Sequence, residues 1–202
     1  PDVPVHVEYF SSPEAVVKEK MLLVSALKPE GVLVYNNDDT KIQEQLPNVL
    51  QRKVGFGRYL ETDFTARGDR VVYADDQPIG VEFEIEHMGT SSKVLITETV
   101  GTHNVYSCMA AIAVADELSV PVVTAAESLL KLQTSPGRMK IIPGIKATLI
   151  IDDTYNSSPV ACEQALQALK ELSYAKRKIA VLGDMLELGK YSASEHRRIG
   201  AK

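Results

Sequence analysis

The sequence predicts an α/β protein in two units: a mixed sheet with β-hairpins and flanking helices, then a parallel, doubly wound sheet. Three observations carry that prediction. Residues 51–99 alternate apolar and polar side chains, broken by Gly and Asp turns, as half-buried strands joined by hairpins do. Residues 147–202 instead interleave short continuous apolar runs with helix-period segments, the pattern of βα units whose strands are buried on both faces. Between them, 132–144 holds Ser135-Pro136-Gly137 and Pro143-Gly144, and this concentration of breakers places a domain boundary that leaves 1–135 on one side and 136–202 on the other.

The elements follow in order. A strand is expected to end just before His6. Ser12-Pro13 sets a capping side chain before a proline at the first helical position, and the apolar positions from Val16 to Leu27 continue that helix up to Lys28-Pro29-Glu30-Gly31. Residues 31–35 read as a short buried strand, followed by the polar loop Asn36-Asn37-Asp38-Asp39 and a short helix. A hairpin is expected around Asp75-Asp76-Gln77-Pro78. An alanine-rich helix runs from His103 to Leu118, and Thr124 with Glu127 three residues on suggests a capping box opening another. Beyond the boundary, 147–151 is an apolar strand and Ser158-Pro159 caps a helix with apolar positions at Cys162, Ala165, Leu166, Leu169 and Leu172. Residues 178–182 form a second such strand, and Ser192 with Glu195 opens the last helix. Ligands of such sheets bind beyond the carboxyl ends of the strands, so the loops after Tyr35, Ile151 and Leu182 are where chemistry is expected.

Composition narrows the function. Twenty-two Lys plus Arg against 27 Asp plus Glu give a net charge of -5 over 202 residues, which argues against nucleic acid as a partner, since phosphate contacts require a basic excess. No apolar run approaches the roughly 20 residues that span a bilayer, so membrane insertion is not expected. Cys108 and Cys162 lack a second Cys at metal or redox spacing, and the first residues lack the charged and apolar regions of a secretory signal, so a reducing cytoplasm is the expected compartment. Phosphate-loop, dinucleotide, zincin and nucleophile-elbow motifs are absent from the sequence.

Several side chains invite two readings. At roughly 100° per residue Lys20 lies within about 60° of Val16, Leu23 and Leu27 on the apolar side of its helix. Either its stem packs and the ammonium snorkels to water, or it is a partly desolvated lysine available for ligand charge or covalent modification. His6 reads as structural or as a ligand. Asn104 can cap its helix or read a base edge. Arg138 can reach a phosphate bound between the units or a surface carboxylate. Asp152-Asp153 follow an apolar strand directly; capping and turn formation explain one of them, but not the whole run Asp152-Asp153-Thr154-Tyr155-Asn156.

In chain order, HVEYFSSPEAVVKEK, VYNNDD, GTHNVYSCMAAIAVA, PGRMKII, LIIDDTYNSSP and VLGDMLELG with His196 beyond it resemble the Mur ligase family, and the last two stretches are most similar to its D-alanyl-D-alanine-adding branch. The resemblance covers nearly the whole chain. It implies a three-domain enzyme, of which this chain is similar to the second part of the central ATPase domain and the first part of a Rossmann-like C-terminal domain. The UDP-sugar domain, the phosphate loop with its lysine and the C-terminal end have no counterpart here, so the 202 residues alone are expected to lack ligase activity. The implied chemistry is ATP-dependent amide formation in peptidoglycan precursor synthesis. The carboxylate of UDP-N-acetylmuramoyl-tripeptide takes the γ-phosphate of ATP, and the amine of D-alanyl-D-alanine displaces phosphate from the acyl phosphate; Mg²⁺ and cations neutralise the transferring group.

By the same resemblance His6 is a Mg²⁺ ligand, and Lys20 is the catalytic lysine whose carbamate also ligates metal. His103 and Asn104 are placed at adenine, Arg138 at an ATP phosphate and Asp153 near the ribose, while Tyr155 and Asn156 face the incoming dipeptide. Ser107 departs from the asparagine common at its position, which weakens the adenine assignment, and Ser157-Ser158 depart from the usual pair before the proline, which weakens the dipeptide one. A cytoplasmic monomer is expected. The alternatives are a Mur-type ligase for another amino acid and a truncated, non-catalytic nucleotide- or precursor-binding module.

Overall fold

The computed structural model describes residues 6–174 and 177–202. The strand end expected before His6 lies outside the described residues. The described residues open with a 3-10 turn, Val7–Tyr9, and helix α1, Pro13–Ser25, where the Ser12 hydroxyl accepts the Ala15 N–H as an N-cap. Strand β1 (Val32–Asn36) and the short helix α2 (Thr40–Gln43) precede β2 (Arg52–Gly57), β3 (Phe64–Ala74), β4 (Gln77–His87) and β5 (Thr90–Thr97). Helices α3 (Asn104–Glu117) and α4 (Val122–Leu129) complete the first unit. The second contains β6 (Lys140–Pro143), β7 (Leu149–Asp152), α5 (Pro159–Glu171) and α6 (Ser192–Gly200).

The first sheet has the order β1-β2-β3-β4-β5, parallel from β1 to β3 and antiparallel from β3 to β5. Hairpin chemistry fixes its antiparallel register. Asp75 and Asp76 both have positive φ, 49° and 61°, so the two-residue connection of β3 to β4 is the I′ type that matches strand twist. One face of this sheet buries Phe64, Val81, Phe83, Ile85, Val94 and Ile96 against Val105, Met109 and Ile112 of α3, with Ala126 of α4 at its margin. This is the principal core. Helix α4 begins at Val122, two residues before Thr124, so Thr124 lies inside the helix, where its carbonyl accepts the Ser128 hydroxyl.

The second unit departs from the parallel pattern at its first pair. β6 and β7 run antiparallel, because the turn between them reverses the chain through left-handed Lys146 and Ala147, φ 53° and 57°. The strand expected at 178–182 is absent: Ile179 and Val181 are 65% and 93% exposed, and the run joins no ladder among the described residues. A strand exists only through a hydrogen-bonding neighbour, and β7 has its partner in β6. The helices are as expected, with the Ser158 hydroxyl accepting the Ala161 N–H at the start of α5.

Among the described residues, two small cores join the units. Val100, Met139 and Leu172 are buried together with Ile141, Ile151 and Ala165 beside them, while Val7 from the first turn is buried with Cys162, Met185, Leu188 and Ile199. The Ile141 N–H also donates to the Glu98 carbonyl at 2.9 Å, and Thr99 forms an antiparallel bridge with Lys140, so the start of β6 lies alongside the chain that leaves β5.

Candidate functional site

Thr99, fully buried between β5 and α3, organises the approach to α3. Its hydroxyl donates to the Met139 carbonyl at 3.2 Å and accepts both the Gly101 N–H (3.2 Å) and the Asn104 side-chain amide (2.9 Å). The Asn104 amide is thus held by Thr99 and does not cap the helix, which leaves its carbonyl oxygen available to a ligand. His103 precedes it at the N-cap position with no side-chain capping bond. Burial, with a smaller push from Arg58, lowers the His103 pKa against the opposing pull of Asp153, so the ring is neutral near pH 7 and offers one donor and one acceptor.

The facing wall comes from the junction of the units. Gly137 has φ +73°, and a side chain there would begin 2.8 Å from the Tyr155 backbone nitrogen, so only glycine permits this approach. The Tyr155 N–H donates to the Gly137 carbonyl at 3.2 Å, and the Arg138 guanidinium lies over the Tyr155 ring, 4.2 Å from its centroid.

The paired carboxylates have different tasks. Asp152 accepts the Gly137 N–H at 2.9 Å and the Thr154 hydroxyl at 2.7 Å, so it is a turn-former, and these bonds, the Thr154 hydroxyl first, hold its carboxyl below the usual value. Asp153 accepts the Met139 N–H at 3.1 Å; burial pushes its carboxyl up, with the Met139 bond and the charges of His103 and Arg138 opposing. His103, Asn104, Arg138 and Asp153 therefore converge on one junction, with Tyr155 stacked at its edge. Asn156 does not join them, because its side-chain oxygen accepts the N–H of the next residue, Ser157.

Lys20 and His6 lie elsewhere. Lys20 is exposed on α1, where Val16 is the buried side chain and Leu23 is 76% exposed. Of the two readings left open for Lys20, the partly desolvated one is not realised, because little packs on that face of α1. The His6 Nδ1 hydrogen-bonds the Glu187 carboxylate, and no group of three His, Cys, Asp or Glu that could hold a metal occurs among the described residues. Mg²⁺ commonly keeps several waters and takes one or two protein ligands with phosphate oxygens. The single imidazole of His6 would be one protein ligand of a cation held in that manner and does not by itself make a resident protein cage.

The loop after Tyr35, where the sequence places chemistry, holds a second polar node beside this junction whose contacts the sequence did not indicate. Asp38, in the loop after β1, accepts the backbone N–H groups of Arg58 (2.6 Å), Tyr59 (3.3 Å) and Leu60 (3.2 Å) and the Tyr106 hydroxyl (2.9 Å). These bonds tie the short β2–β3 connection to the first turn of α3. The Arg58 guanidinium pairs with Asp69, lies over Tyr106 and contributes to the field at His103. The polar run 36–39 marks a loop, but no spacing in the sequence links Asp38 to Tyr106.

The Mur ligase middle domain pattern matches residues 3–115, and the pattern described as Mur ligase, glutamate ligase domain, matches residues 137–202. The UDP-N-acetylmuramoyl-tripeptide–D-alanyl-D-alanine ligase of Bacillus subtilis is 30% identical over 97% of this chain and 40% of its own length. Among solved structures, MurF from Acinetobacter baumannii superposes with a TM-score of 0.84 at 27% identity, covering 98% of this chain and 42% of that one. The MurF ligase from Thermotoga maritima, in complex with ADP, gives 0.83 at 27% identity over 97% and 43%. The chain thus spans about two fifths of the length of the relatives it matches.

Proposed function

The chain belongs to the Mur ligase family, and from that premise we propose that it forms the nucleotide-binding junction of an ATP-dependent ligase that adds D-alanyl-D-alanine to UDP-N-acetylmuramoyl-tripeptide. The observation that carries the reading is the convergence of His103, Asn104, Arg138 and Asp153 across the boundary of the two matched domains. On this reading 1–135 belongs to the central domain and 136–202 to the C-terminal one, and the protein works as a cytoplasmic monomer.

The residues divide the work by their chemistry. The neutral His103 ring and the Asn104 carbonyl supply the mixed donor and acceptor groups that an adenine edge requires. Asp153, accepting the Met139 N–H through one oxygen, has a second oxygen for a ribose hydroxyl. Arg138, preorganised over Tyr155, offers its guanidinium to a phosphate and neutralises charge as the γ-phosphoryl group moves to the acceptor carboxylate. Tyr155, beside that phosphate, and Asn156 after it are assigned to the incoming dipeptide, whose free amine then expels phosphate from the acyl phosphate. His6 and a carbamylated Lys20 would be the protein ligands of Mg²⁺, which would supply further charge neutralisation when bound.

The test is ADP binding to the 202-residue chain by calorimetry. Arg138→Ala is expected to weaken it at least about tenfold, ~1.4 kcal/mol, with Asp153→Asn acting in the same direction. Equal affinity in wild type and both variants overturns the assignment. In the longer protein, phosphate release that requires D-alanyl-D-alanine and is not supported by other amino donors separates this reading from a sister ligase.

A further inference from the structure

The loop 184–188, from the stretch VLGDMLELG, is used by none of the chemistry above, yet it wraps the turn that carries His6. Its Glu187 touches that turn twice. The side-chain carboxylate bonds the His6 Nδ1, and the backbone carbonyl accepts the Glu8 N–H at 3.2 Å. Between these two bonds Val7 is 3% exposed, buried with Met185, Leu188, Cys162 and Ile199 of the second unit. Gly189, with φ +52°, lets the loop backbone close on the turn; a side chain there would start 3.3 Å from the Glu8 Cα.

The loop is itself anchored from behind. The His196 Nε2 accepts the Met185 N–H at 3.0 Å, so the proton of that ring is on Nδ1, which lies 2.9 Å from the Ser192 carbonyl and donates to it. One histidine, fixed in one tautomer by α6, therefore holds the loop that meets the other.

We propose that Glu187 is a positioning residue for His6, holding its ring as the Nδ1–H tautomer so that the Nε2 lone pair faces outward. A carboxylate accepts and cannot donate, so the shared hydrogen must sit on Nδ1, and the opposite nitrogen is left as the one that can ligate. The second unit thereby decides which nitrogen the first unit presents, and only the docked arrangement does so. The significance for catalysis rests on His6 being a cation ligand, as in the proposed function; the tautomer assignment does not.

The experiment is long-range ¹H–¹⁵N correlation of histidine-labelled protein at a pH where the rings are neutral. His6 is expected to show the Nδ1–H pattern in the wild type and to lose it in Glu187→Ala. That variant keeps the Glu187 carbonyl, so Glu8 amide protection and the His196 tautomer are expected to persist. If His6 keeps its Nδ1–H pattern in Glu187→Ala, the proposal is overturned. Loss of Glu8 protection along with the tautomer also overturns it, because Glu187 then docks the turn and does not orient the ring. Mn²⁺ titration supplies a separate readout. Broadening of His6 that needs about tenfold more Mn²⁺ in Glu187→Ala is the expected result. No broadening in either protein removes the cation-ligand reading of His6 and leaves the tautomer result to stand on its own.

Discussion

Asp38 concentrates more of the first unit's polar connectivity than any residue that the sequence singled out. Burial pushes its carboxyl up, but the hydrogen bonds from Arg58, Tyr106, Leu60 and Tyr59 outweigh it and hold the pKa below the ordinary value. Removing the side chain leaves those donors without their acceptor, and Asp38→Ala is expected to cost roughly 3 kcal/mol in urea unfolding. A folded pKa below the unfolded one, about 3.9 for Asp, means that the contribution is complete above the unfolded value and is lost as pH falls through the folded one. The stability gap between wild type and Asp38→Asn should therefore close in acid. A gap of the same size at neutral pH and well below the folded pKa would show that the charge contributes nothing.

Asp153 has the opposite sign. Its carboxyl is raised by burial, so the folded state holds the proton more tightly, and the stabilisation present below the unfolded pKa is lost as pH rises through the folded pKa. Asp153→Asn keeps an acceptor for Met139 and removes a charge that the site disfavours. It is expected to raise the unfolding temperature at neutral pH while weakening ADP binding. A variant that loses both stability and affinity would mean that the charge stabilises the fold, against this account. The adjacent pair Asp152-Asp153 was legible in the sequence as a run too acidic for a simple turn. Residue types alone did not say which of the two faces the junction; only the family resemblance pointed to Asp153, because the choice depends on Gly137 and Met139 arriving from another segment.

At the scale of elements, local chemistry was legible and pairing was not. The Ser12 and Ser158 caps and the Asp75-Asp76 hairpin sit where their residue types require, because each is decided within a few residues. The run 178–182 has strand composition without a strand, and Lys20 has an apolar helical neighbourhood without burial. In both places the deciding term is a partner segment, which composition cannot supply. The junction loop 136–139 is a sharper case, since its breakers were visible but its role in setting Arg138 against Tyr155 depends on one backbone conformation. Gly137→Ala puts a Cβ into that left-handed position and against the Tyr155 nitrogen. It is expected to destabilise the chain by about 1–2 kcal/mol and to weaken ADP binding even though residue 137 contributes no side chain. Unchanged affinity, with the expected loss of stability, would separate the loop's conformation from nucleotide binding.

At the scale of the whole molecule, the described residues form three cores of unequal size along one chain. The sheet with α3 and α4 encloses the largest; the two that join the units are small, and one of them depends on Val7, which belongs by sequence to the other unit. A chain built in this way has no reason to unfold in one step. Hydrogen exchange is expected to be slowest in β4, β5 and α3, whose side chains include the most deeply buried ones, and faster in α5 and α6. Val7→Ala should cost about 2 kcal/mol, the size of a buried valine's lost contacts. The loss should fall on the transition that reports α5 and α6, leaving protection of β4 and β5 unchanged. If Val7→Ala shifts every probe equally, the units unfold as one body and the turn at His6 is not a separable contact. If only the α5 and α6 probes move, docking of that turn is a distinct equilibrium, and Glu187 then acts on His6 only in the fraction of molecules in which the second unit is seated.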